Sequence, residues 1–135
     1  MAGLPINRLK KYFLQREDIA FAFLFGSYAK GRAGKLSDVD IAVYFYPSTR
    51  KPCEFEEPVY YEKEDEIWED LEKILKRNVE LLVLNRAPAS IAFSALRGKP
   101  IIIKDAGLFL DFLIYVSSQA IDYREEVINE LIKKL

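Results

Sequence analysis

Two aspartates separated by one residue, Asp38 and Asp40, follow the dipeptide Gly26-Ser27 after an interval of ten residues. Side chains alternate faces along a strand, so on a strand the two carboxylates project to one side, about 7 Å apart. Two acids on an otherwise apolar strand repel each other and lose solvation, which calls for a compensating cation. Hard oxygen donors of this kind suit Mg²⁺, which binds through one or two carboxylates together with substrate phosphates. Gly26-Ser27 closes an apolar run, Ile19 to Phe25, where a strand should pass into a helix. Exposed N–H groups and helix polarity at such a junction favour a phosphate, and glycine lets the backbone approach it. Lys30 and Arg32 come within reach of the same phosphates, and read equally well as solvated charges on a short helix. Glu80 is the one polar residue in the run Val79 to Leu84. If that run is a strand beside the Asp-x-Asp strand, Glu80 joins the same face; otherwise it is a strand-end acid facing solvent or a cation. In-line phosphoryl or nucleotidyl transfer uses two metal ions roughly 3.5–4 Å apart. The aspartate pair would hold them, and Glu80 would complete one coordination shell or accept the proton of an attacking hydroxyl.

The remaining composition removes the competing chemistries. The 135 residues contain no histidine, which excludes Ser-His-Asp triads and His-ligated zinc. The single cysteine, Cys53, excludes an intramolecular disulfide and any multi-cysteine metal cluster. A net charge of −1 gives no overall basic signature for nucleic acid or an anionic membrane. No apolar stretch has the length of a signal peptide or a membrane span, so a cytoplasmic protein is expected. The length suits a single domain over residues 1–135.

Strands alternating with helices must position these residues, which makes the chain an α/β domain. Residues 4–17 carry Leu4, Leu9, Tyr12 and Phe13 at helical spacing. Strands are expected at Ile19–Phe25, Asp38–Tyr46, Val79–Leu84 and Pro100–Lys104, the last at a sheet edge because of its proline. Residues 26–37 hold three of the six glycines and should form a short helix flanked by loop. Residues 47–61 carry three prolines and no glycine, the mark of an irregular excursion. Helices are expected over Glu62–Arg77 and from the turn at Asn85–Pro88 to Leu96, with Gly98 ending the latter. From Leu108 a long helix carries Phe109, Phe112, Val116, Ala120, Tyr123, Val127 and Leu131 on one stripe. That stripe reads as core packing or as a surface for a partner helix.

Gly-Ser, ten residues, then Asp-x-Asp resembles the signature of the DNA polymerase β-like nucleotidyltransferase superfamily. The string LFGSYAKGRAGKLSDVDIAV (Leu24 to Val43), followed by VELLVLNRAP (Val79 to Pro88), is similar to its small MNT-type branch. The resemblance implies a small mixed sheet of about four strands flanked by helices, with a long C-terminal helix. It implies a Mg²⁺-dependent enzyme, with two ions, and ATP as donor. Gly26, Ser27, Lys30, Arg32 and Ser37 would bind the nucleotide, and Asp38, Asp40 and Glu80 would be the catalytic and metal-binding acids. MNT proteins often act as antitoxins that transfer AMP to a tyrosine of a HEPN-domain toxin, which makes such a toxin the expected partner. Homo- or hetero-oligomers through the C-terminal helix are also open. The family's third acid is usually aspartate, and here it is Glu80. The longer side chain displaces its carboxylate by about 1–1.5 Å, a shift that can cost roughly 10²-fold in rate. Two alternatives follow: a decayed antitoxin acting by contact alone, and an antibiotic-type small-molecule nucleotidyltransferase.

Overall fold

A computed structural model describes residues 4–26, 38–47, 63–119, 129–130 and 132–135. The elements are α1 (Ile6–Gln15), β1 (Ile19–Phe25), β2 (Val39–Phe45), α2 (Glu64–Leu75), β3 (Val79–Val83), a 3₁₀ turn (Leu84–Arg86), α3 (Ala89–Leu96), β4 (Lys99–Ile103) and α4 (Ala106–Gln119). The four strands form one mixed sheet in the order β3-β2-β1-β4. β1 pairs antiparallel with β2 and β4, whereas β2 and β3 run parallel, which requires a crossover such as the one that contains α2. Pro100 lies on edge strand β4, where its missing N–H removes no ladder bond on the open side.

Helices cover both faces of the sheet, so β1 and β2 read as nearly continuous apolar runs. One face packs α1 and α2 through Leu9, Phe13, Ile67 and Leu71 onto Leu24, Ile41 and Val43. The other packs α3 and α4 through Phe93, Leu96, Phe109 and Phe112 onto Phe21, Phe23, Ala42 and Tyr44. Aromatic contacts stiffen this second core: Phe21 stacks on Tyr44 with ring centres 4.6 Å apart, and Phe112 lies 4.7 Å from Tyr44.

Polar side chains close the backbone at the margins. Val79 of edge strand β3 donates its N–H to Glu72 Oε2 (3.0 Å), and its carbonyl accepts from Trp68 Nε1 (2.6 Å). Both groups come from α2, which thereby occupies the start of an edge that could otherwise recruit another strand. Asn85, fully buried, accepts from the Phe45 N–H and donates to the Phe45 carbonyl, each at 2.9 Å, locking the 3₁₀ turn to the end of β2. Arg86 pairs with the buried Glu64 at the start of α2. Lys104 donates to the Phe13 and Arg16 carbonyls at the end of α1.

Element bounds shift by one or two residues, β3 for instance ending at Val83 with Leu84 in the 3₁₀ turn, and the role of Gly98 changes. β2 begins at Val39, leaving Asp38 just ahead of the strand. β4 begins at Lys99 rather than Pro100. α3 ends at Leu96, yet Gly98 is not there for a left-handed cap, since Gly26 is the only described glycine with positive φ. A Cβ on Gly98 would overlap the Leu24 carbonyl and crowd Phe25, so glycine is needed for close packing against β1. α4 carries Phe109, Phe112 and Val116 into the core as its stripe requires. Ala120, Tyr123, Val127 and Leu131 lie outside the described residues, as do the expected short helix beyond Gly26, Cys53 and nearly all of the proline-bearing excursion. Among the described residues no helix is long and apolar enough to cross a membrane.

Candidate active site

Alternation along β2 places Asp40, Ala42 and Tyr44 on the face covered by α3 and α4. Asp40 is thus the polar end of a column that otherwise feeds the aromatic core. In the ladders Asp40 pairs with Glu80 on the parallel neighbour β3 and with Phe25 on β1. The glutamate that stood alone in its apolar run therefore lies directly beside the second aspartate. Asp38 precedes β2 with the same parity and is exposed, Asp40 is half-buried and Glu80 is exposed.

Asp40 senses the other two acids. Burial, then the charges of Glu80 and Asp38, push the Asp40 carboxyl above the usual aspartate range. Gly26 closes the opposite side. Its φ of 71° is left-handed, and a Cβ there would overlap Asp40 Oδ2. The Gly26 backbone and the carboxylate of Asp40 thus occupy one small volume, and only glycine permits both.

This donor set fits magnesium better than zinc: it is all oxygen, and the chain has no histidine. Among the described residues no three His, Cys, Asp or Glu side chains form a ready-made metal cage. Magnesium does not need one, because it keeps waters and takes substrate phosphate oxygens as ligands. Gly26, Asp38, Asp40 and Glu80 are brought together at one end of the sheet; Ser27, Lys30, Arg32 and Ser37 lie outside the described residues.

On the β4 side of Gly26 opens a cleft of about 640 Å³, lined in part by Phe25, Gly26, Arg97, Gly98, Lys99 and Lys134. No spacing in the sequence marks these cations, because they reach Gly26 only through the β1–β4 pairing. The nearest local signal is Gly98, set between Arg97 and Lys99.

Residues 7–107 match the family model described as "Polymerase beta, Nucleotidyltransferase". No curated protein sequence matches the chain. Among solved structures, the chain is similar to a toxin–antitoxin crystal structure with AMP-PNP, at 22% identity and a TM-score of 0.66, covering 86% of each chain. It is also similar to a mutant of the MntA-HpeT toxin–antitoxin, at 20% identity and a TM-score of 0.64, again over 86% of each chain. A third similar structure is a tri-AMPylated Shewanella oneidensis HEPN toxin in complex with MNT antitoxin, at 17% identity and a TM-score of 0.57, over 84% of this chain and 85% of that one. At these identities the likeness is one of fold.

Proposed function

The chain belongs to the polymerase β nucleotidyltransferase family, and from that premise we propose that it transfers AMP from ATP to a tyrosine hydroxyl of a HEPN-domain toxin, acting as the antitoxin. The observation that carries the reading is the ladder register that sets Glu80 beside Asp40, against the Gly26 turn. The solved structures of like fold support the choice of donor and acceptor: one holds AMP-PNP, and another pairs an MNT antitoxin with an AMPylated HEPN toxin.

In this reading Gly26 and Ser27 cradle the triphosphate, aided by Lys30, Arg32 and Ser37. Asp38 and Asp40 hold Mg²⁺, with Glu80 completing the set. The bound metal supplies charge neutralisation at the transferring phosphate. The acceptor oxygen bonds to the α-phosphorus as the bond from that phosphorus to the α–β bridging oxygen breaks, and pyrophosphate departs. The acceptor's proton passes to the Glu80 carboxylate or through it to water. Burial first, and then two neighbouring negative charges, raise the affinity of Asp40 for a proton, and the same two charges would favour a cation there.

The test is AMP transfer from labelled ATP to a HEPN partner by wild type and by the Asp38→Ala, Asp40→Ala double variant. Loss of transfer in a variant that still folds is expected; retained transfer would sink the mechanism. Glu80, in place of the usual aspartate, favours a second reading in which catalysis has decayed and the protein neutralises its partner by contact. That reading requires a stable complex with no transfer by the wild type.

A further inference from the structure

The carboxylates occupy the β2–β3 side of the sheet end, and positive charge gathers on the other side of Gly26. Gly98 packs so tightly on the end of β1 that an added Cβ would overlap the Leu24 carbonyl. Its two neighbours, Arg97 and Lys99, are both exposed and line the cleft that begins at Gly26. Neither makes an ion pair among the described residues. Lys134 joins them from the end of the chain, donating to the Leu96 and Gly98 carbonyls, with its ammonium 5.9 Å from the centre of the Phe23 ring. Burial lowers the proton affinity of Lys134; the Glu130 carboxylate nearby works against that, and the charge of Arg97 adds to it. Three cations thus line one cleft of about 640 Å³; Glu130 acts on Lys134, while Arg97 and Lys99 are left for an incoming anion.

We propose that this cleft adds a second set of contacts, from Arg97 and Lys99, to the β- and γ-phosphates of the nucleotide cradled at Gly26, and holds pyrophosphate as it leaves. The inference rests on the nucleotidyl-transfer reading, which puts the α-phosphate at Asp38 and Asp40. Gly26 joins the two regions, since one side of it touches Asp40 and the other lines the cleft. A triphosphate anchored at the acids passes over Gly26 into the cations. Guanidinium and ammonium groups suit it, because charge-assisted contacts to phosphate are the stronger class of hydrogen bond.

Calorimetry with tripolyphosphate in the absence of metal, and with ATP or AMP in Mg²⁺, separates the outcomes. Wild type, Arg97→Ala with Lys99→Ala, and Asp38→Ala with Asp40→Ala are compared. The cleft variant is expected to bind tripolyphosphate and ATP about tenfold more weakly or worse. Its AMP affinity should stay within about twofold of wild type, since AMP lacks the outer phosphates. Lys99→Gln, a milder change at an exposed site, should move the same two affinities in the same direction. Unchanged ATP and tripolyphosphate binding in the cleft variants overturns the proposal. So does intact ATP affinity with lost transfer to the protein acceptor, which would assign the cleft to an acidic acceptor surface. Failure of the underlying reading looks different: tripolyphosphate binds through the cleft, while ATP affinity is indifferent to the aspartate pair.

Discussion

Gly26 and Asp40 constrain each other tightly at the sheet end. Gly26→Ala would force a Cβ into Asp40 Oδ2 from a backbone already in the left-handed region. The backbone alone costs about 1–2 kcal/mol, which should lower Tm by roughly 3–8 °C in a thermal melt. The displaced carboxylate should also weaken Mg²⁺-dependent ATP binding. Asp40 makes a second prediction through its titration. Its folded-state pKa is raised, so the fold favours the protonated acid. The destabilisation therefore grows as pH rises from the unfolded value near about 4 towards the raised folded value, and is fully present above it. Metal-free Asp40→Asn should then be at least as stable as wild type at neutral pH, and should lose less stability between acid and neutral pH. Urea titrations across that range would check this; a variant markedly less stable at neutral pH would contradict it.

At the scale of elements, β2 carries the site because both its ends are fixed. At its start the Val39 N–H donates to the Asn78 carbonyl at 3.0 Å. At its far end Asn85 brackets Phe45 with two hydrogen bonds. Asn85→Ala removes both from a fully buried position and leaves a small void. A loss of about 2–4 kcal/mol in urea unfolding is expected. The Phe45 amide should also exchange faster with solvent. Because Phe45 and Asp40 share one strand, a slackened end should reduce nucleotide affinity without any change in the site's own residues.

The whole molecule places acids and cations on opposite sides of one glycine, with both sheet faces buried beneath them. A ligand spanning the two should bind the folded state alone and stabilise it. At a hundred times its Kd, Mg²⁺-ATP should add about 2.7 kcal/mol, visible as a rise in Tm. Asp38→Ala with Asp40→Ala should abolish that rise while leaving the ligand-free melt intact or slightly higher, since the variant relieves carboxylate repulsion.

Among the described residues, the order of strands and helices, the aspartate pair and the glycine at the end of β1 are legible in the sequence alone. Those features are local: hydrophobic period, turn chemistry and spacing are properties of a few neighbouring residues. The edge position of β4 was legible in Pro100 for the same reason, a missing N–H. The fold alone sets β3 parallel beside β2 in the register that pairs Glu80 with Asp40, because a helix intervenes and periodicity carries no register across it. It alone showed that Gly98 serves close packing rather than a helix cap, and that this packing draws Arg97 and Lys99 to Gly26. Pairing between distant strands brings those residues together, and no stretch of sequence contains both sides of that contact.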